Sequence, residues 1–307
     1  MKVNQISIIY IFKATVYVLL ALIVVLSSCE PKEIDQDKDL EIENDSTIYL
    51  SKVFEYVYAP GQHASVATPS DTINIIGNPA KHIGWLYLGG FGGYVIAGFS
   101  EDIPNVDGYD FEVFALKGAS PEPAVVYVMK DENGDNLPND TWYELKGSQF
   151  AESIRDFELT YYKATSDSSD IVWRDVSGNE GVLHSGYGSA YTSGWWWQYT
   201  LTNEIKFKGT RLPDAYENNP VNGAAHWTVP ENRFEWGYAE NNSGKDYDTS
   251  KGSNLFDISN AVDEAGNFIH LDNIRFIKIQ SAVFQQAGWL NEISPEIRGA
   301  AGLRKKR

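Results

Sequence analysis

Asn273-Ile274-Arg275-Phe276-Ile277-Lys278-Ile279-Gln280 is the stretch that speaks most clearly about the fold of this 307-residue chain. Its apolar side chains at Ile274, Phe276, Ile277 and Ile279 follow the period of two of a strand with one buried face, interrupted once at Phe276 and Ile277. The interruption predicts a local irregularity, or burial on both sides, at those two residues.

The same texture extends outward in both directions as short aromatic and β-branched runs separated by Gly, Asn, Asp and Pro. Strands are expected near residues 85–88, 94–99, 111–114, 125–129, 142–146, 157–162, 171–174, 196–201, 205–208, 233–238, 254–257 and 274–280. Past the first 28 residues no window longer than about ten residues keeps a helical period, and residues 259–263 make at most one short turn. No unit recurs at a fixed spacing, which weighs against propellers and solenoids. The fold class is therefore all-β, an antiparallel β-sandwich or jelly-roll-like arrangement in one domain over residues 51–303. The basic tail, residues 304–307, reads as a frayed end.

Composition limits the function. With 42 acidic against 25 basic side chains the net charge is −17, and such a surface lacks the Lys and Arg that track phosphates, so nucleic acid is excluded as a partner. The single cysteine excludes disulfide frameworks and multi-thiolate metal sites. That cysteine is Cys29. Lys2 and Lys13 precede an apolar run over residues 14–26, and Leu26-Ser27-Ser28-Cys29 resembles the lipobox of bacterial lipoproteins. Residues 1–28 are thus expected to be a lipoprotein signal peptide and Cys29 the lipidated mature N-terminus. The competing reading, an uncleaved membrane anchor, needs a longer apolar run of roughly 20 residues. Residues 29–50 are acidic and poor in apolar side chains, as expected of a flexible tether. The acids after Cys29 also resemble export signals that place Bacteroidota lipoproteins on the outer face of the outer membrane.

Candidate chemistry begins with Asp131-Glu132-Asn133-Gly134-Asp135-Asn136-Leu137-Pro138-Asn139-Asp140. Side-chain oxygens of Asp131, Asn133, Asp135 and Asp140, with the Leu137 carbonyl, offer the hard oxygen donors that calcium takes. The pattern departs from an EF-hand, with Asn136 where that loop needs glycine and Trp142 at its twelfth position. The alternative is a metal-free, Asx-rich turn joining strands that end at Met129 and restart at Trp142. Gly89-Gly90-Phe91-Gly92-Gly93 is followed by a strand rather than by Lys-Ser/Thr and a helix, so it reads as a tight turn and not a phosphate loop. The five histidines are scattered and no nucleophile elbow is present, so no catalytic residue is assigned. Nine tryptophans and eighteen tyrosines provide flat apolar faces for sugars or corrin edges. Trp195, Trp196, Trp227 and Trp236 adjoin Gly- and Asn-rich loops and are the expected ligand-binding aromatics. In a strand, Trp195 and Trp197 would face one way and Trp196 the other.

Taken with that loop and its Trp142-Tyr143-Glu144-Leu145 continuation, Val53-Phe54-Glu55-Tyr56-Val57-Tyr58-Ala59-Pro60-Gly61-Gln62, Leu88-Gly89-Gly90-Phe91-Gly92-Gly93-Tyr94, Glu122-Pro123-Ala124-Val125-Val126, Phe234-Glu235-Trp236-Gly237-Tyr238 and Ile277-Lys278-Ile279-Gln280 resemble a family of Bacteroidota cell-surface lipoproteins. Some of its members are labelled PKD-domain proteins, although the extra module that label refers to is not expected in this chain. The resemblance spans residues 50–302 and implies capture of a nutrient, a corrinoid or a glycan, for a TonB-dependent outer-membrane transporter, including cobalamin uptake systems. It carries over no catalytic residues. Two alternatives stay open: a glycan hydrolase or lyase using paired carboxylates about 5–10 Å apart, and a structural or adhesive surface protein.

Overall fold

The computed structural model describes residues 47–303 apart from 119, 168, 186–193 and 243. Cys29, the signal peptide, most of the expected tether and the tail at 304–307 lie outside the described residues. In chain order the strands are β1 (Leu50–Val57), β2 (Leu86–Tyr87), β3 (Tyr94–Pro104), β4 (Phe111–Ala115), β5 (Ala124–Met129), β6 (Tyr143–Leu145), β7 (Ile154–Tyr162), β8 (Ile171–Asp175), β9 (Glu180–Leu183) and β10 (Glu204–Arg211). They continue with β11 (Glu217–Asn218), β12 (Trp227–Thr228), β13 (Tyr247–Asp248), β14 (Ser253–Phe256), β15 (Ala261–Val262), β16 (Asn273–Ser281), β17 (Gln286–Ala287), β18 (Asn291–Glu292) and β19 (Glu296–Gly302).

β16 is the strand announced by residues 273–280, and it lies mid-sheet in the order β1-β3-β16-β5-β6-β15, antiparallel to both β3 and β5. The register against β3 shifts between Ile274 and Phe276, which is the expected irregularity. The shift changes which face each later residue occupies. Ile274, Ile277 and Ile279 all enter the main core, while Phe276 is buried outside it, edge-on to Phe54. Both readings of the break, irregularity and two-sided burial, therefore hold together.

That core is closed by a second antiparallel sheet, β13-β14-β4-β19-β2. Val126, Val128, Ile277 and Ile279 from the first sheet meet Phe111, Val113, Phe256, Ile297 and Ala300 from the second. The outer face of the first sheet is covered in turn. A third sheet, β10-β7-β8-β9, is tied to it by Gln280, whose Nε2 donates to the carbonyls of Gly92 at 2.8 Å and Lys208 at 3.2 Å. Phe91, Phe157, Tyr161, Phe207 and Trp195 form the apolar cluster of this layer. The fold class is all-β and sandwich-like, as expected.

Three local expectations fail for physical reasons. Residues 233–238 are apolar enough for a strand, but Phe234 and Gly237 take φ of 55° and 88°, and the Asp246 carboxylate accepts the Gly237 N–H, so the chain turns. Residues 196–201 also turn, with the Thr200 N–H bonded to the Trp197 carbonyl. Trp195 and Trp196 consequently join one cluster and Trp197 another, against the alternation a strand would impose. β1 and β19 are further strands beyond those expected, and they meet at the domain edge, where Tyr49 bridges Ala301 and the Gly302 N–H donates to the Ile48 carbonyl. Tyr49 and Leu50 thus pack with the folded unit.

Candidate functional site

Four chain segments distant in sequence meet at one edge of the sandwich. Tyr58, Gln62 and His63 follow β1, Glu122 sits between Pro121 and Pro123 at the entry to β5, Glu240 and Asn242 end the turning segment after residue 238, and the β17–β18 hairpin leads into Glu296, the first residue of β19. The stretches 53–62, 122–126 and 234–238, quoted above for the family resemblance, run into this place. Local chemistry explains the assembly. The Glu122 N–H donates to the Glu240 carbonyl at 3.0 Å, and Ala124 and Ala239 form a two-way bridge, which staples the turning segment beside β5.

Three carboxyls here are fixed by backbone. Glu122 accepts the Ser294 N–H at 2.6 Å, Glu240 accepts the Glu296 N–H, and Glu292 accepts the Gln62 N–H at 2.6 Å. Gly61 is required for the last bond, because a Cβ there would stand 2.4 Å from the Glu292 Oε1. Glu240, Asn242 and Asn291 all hold positive φ, 53°, 58° and 71°. For a glutamate this conformation is costly and is the kind of strain that gathers at functional sites.

The result is a cavity of about 440 Å³ whose floor carries Glu122, Glu240 and Glu296, with His63 and Gln62 on one wall and Trp289 at the mouth. All four glutamates are buried, at 8% exposure for Glu122, 1% for Glu240, 1% for Glu292 and 5% for Glu296. Among the described residues no Lys or Arg comes within ion-pair distance of any of them; the nearest basic group is His63, its Nε2 3.5 Å from the Glu296 carboxylate. Burial pushes the pKa of all four upward from the ordinary carboxyl range, with repulsion between neighbours adding to it, and that of Glu296 rises to about 8. Glu240 and Glu296 are neighbours whose like charges repel, so the pair resists carrying two charges at once. Burial also lowers His63 to about 4, so its imidazole, stacked on Tyr87 at 4.5 Å, is neutral at neutral pH. Glu292 Oε2 and Glu296 Oε2 are buried and receive no hydrogen bond from a protein donor.

The tryptophans expected to bind ligand do not come together. Trp195 is buried and Trp196 half-buried, both against a cavity of about 290 Å³ beside Lys163 and Asp167. Trp227 is half-buried against Gly288, and Trp236 lines a separate cavity of about 360 Å³ with Tyr109 and Asp246. The exposed tryptophan among the described residues is Trp289, 73% accessible at the tip of the β17–β18 hairpin. It follows Gly288 and precedes Asn291 by two residues, so the loop-composition criterion applied to the others would have selected it too.

Residues 131–140 connect β5 to β6, antiparallel neighbours, as the turn reading anticipated. Asp131, Asp135 and Asp140 accept the N–H groups of Asn136, Leu137 and Glu132, Asn133 accepts that of Asp135, and the Leu137 carbonyl accepts that of Asn139. These bonds tie the loop to itself. Asp131 Oδ1 is buried and receives no protein donor, which leaves one oxygen suited to a hard cation. Among the described residues no three His, Cys, Asp or Glu side chains are grouped as a metal site. Gly89-Gly90-Phe91-Gly92-Gly93 is the tight turn expected, with the Gly93 N–H donating to the Gly90 carbonyl.

No protein-family model matches this chain, and neither does any curated protein.

Proposed function

We propose that this protein is a non-catalytic, surface-exposed lipoprotein, anchored to the outer membrane through Cys29, that captures an extracellular nutrient, a corrinoid or a glycan, for a TonB-dependent outer-membrane transporter. The observation that carries the reading is Trp289, an exposed aromatic face at the mouth of a carboxyl-floored cavity. An apolar ring beside a few fixed acceptors is the chemistry that holds a sugar ring or a corrin edge, whose hydroxyls or side-chain amides supply the donors. The carboxyls of Glu292, Glu122 and Glu240 are held by the backbone N–H groups of Gln62, Ser294 and Glu296, so the ligand meets a preorganised surface. Membrane anchoring and the outward face rest on the lipobox and the acids after it.

A hydrolase reading fares less well in this cleft. Both hydrolytic routes need an ionised carboxylate beside a protonated acid, whereas burial raises all four carboxyls of this floor above the ordinary range. Calcium in residues 131–140 is proposed as a brace for the β5–β6 loop, with Asp131, Asn133, Asp135, the Leu137 carbonyl and Asp140 as its ligands and Asp131 Oδ1 as the supporting observation.

The test is calorimetric titration of the full chain in detergent with cobalamin, cobinamide and a panel of glycans, on the parent and on Trp289→Ala. Saturable binding without turnover, weakened at least tenfold in the variant while its melting temperature is unchanged, is the expected result. Turnover of a glycan, or affinity indifferent to Trp289, overturns the reading.

A further inference from the structure

The cleft floor poses a charge problem that the chain itself solves only by holding these buried carboxyls protonated. Glu122, Glu240, Glu292 and Glu296 are each more than nine-tenths buried, yet among the described residues neither Lys nor Arg neutralises them and the adjacent imidazole is uncharged near pH 7. Buried carboxylates persist only when paired or protonated. Glu296, 5% exposed, lines the cavity, and its Oε2 has no protein donor. Asn242 Oδ1, on the same lining, is likewise a buried acceptor without a donor.

From these groups we infer that the floor is a subsite for a positively charged organic amine, and that the captured ligand presents an ammonium group to Glu296, with Glu122, Glu240 and Asn242 around it. The inference rests on the reading of this cleft as the capture site. An ammonium carries three N–H donors for the unmet acceptors and a positive charge that lets a buried carboxyl ionise beside it. Trp289 shares the lining, and an indole face at a cavity mouth favours a cation over a neutral group. The cavity, at about 440 Å³, has room for a sugar-sized body bearing the amine. Of the two nutrient classes, this selects glycans built from amino sugars.

The experiment compares oligosaccharides that differ only in the amine: a glucosamine oligomer, its N-acetylated counterpart and the corresponding glucose oligomer, each titrated into the full chain. The glucosamine oligomer is expected to bind at least tenfold more tightly than the other two. That preference should shrink to within about twofold in both Glu296→Gln and Glu122→Gln, with the parent's melting behaviour at pH 6 checked for each so that a folding defect is recognised. Equal affinity for the three, or binding of corrinoids alone, overturns the amine subsite and leaves capture standing. A preference that survives both substitutions overturns it too. Absence of binding by these oligomers and by corrinoids removes the capture reading itself.

Discussion

Glu296 shows what burial does to one ionisable side chain. Its pKa lies near 8 in the folded protein against 4.5 for the free group, chiefly because the surrounding protein disfavours the charge. A folded value above the unfolded one means that the contribution to stability is complete below about pH 4.5 and is lost as pH rises through about 8. The loss in that window reaches about 1.4 kcal/mol per pH unit for one group. Thermal unfolding of the parent and of Glu296→Gln from pH 5 to pH 9 should therefore show the parent falling faster, the two curves separating over that window; parallel curves would mean that Glu296 is solvated and not raised. The glutamate cluster was hidden from the sequence because its members stand far apart, before β5, after residue 238 and around β18 and β19. In a chain with 42 acids no spacing marks those four. Trp289 was legible in principle, from the glycine before it, whereas Trp195 was not: its neighbours are as Gly-rich, yet it is 1% exposed.

Strands differ in how openly their sequences declare them, and β16 and β19 are the extremes. β16 is rich in β-branched and aromatic residues, so both its existence and its bulge could be read from residues 273–280. β19 reads Glu-Ile-Arg-Gly-Ala-Ala-Gly, which looks like a loop. Its small residues answer to packing instead: Gly299 holds φ of 140°, and a Cβ there would come within 2.9 Å of Pro79, while one at Gly302 would reach 2.5 Å from Ile103. Tertiary contact overrides propensity in such a strand. The segment over residues 233–238 errs in the opposite sense, apolar but bent by positive φ at Phe234 and Gly237. For β16 the energetic consequence is direct. Ile277 is fully buried between the two main sheets, and Ile277→Ala should cost about 2–5 kcal/mol, measured by denaturant unfolding; Arg275→Ala, on the half-buried position beside the bulge, should cost far less.

At the scale of the molecule, three antiparallel sheets share one strand ladder as their common wall, and residues 131–140 project from it as an exposed loop. If calcium braces that loop, a chelator should lower the melting temperature by several degrees and added calcium should restore it, while magnesium should not. A melt unmoved by chelator, with no calcium found by elemental analysis, would leave the Asx bonds as the whole account. The class of fold was legible because alternation and turn residues recur along the entire chain; the layering was not, because nothing local says that the outer face of the first sheet is covered as well. One feature of that layering reaches beyond stability. The described chain enters beside the strand by which it leaves, Tyr49 bonded across to Ala301. Topologically the domain is close to a ring that happens to be cut there, so a peptide link across the gap and a new opening in a surface turn would yield a circular permutant with the same neighbours in space, and guests fused at either end would emerge from one side.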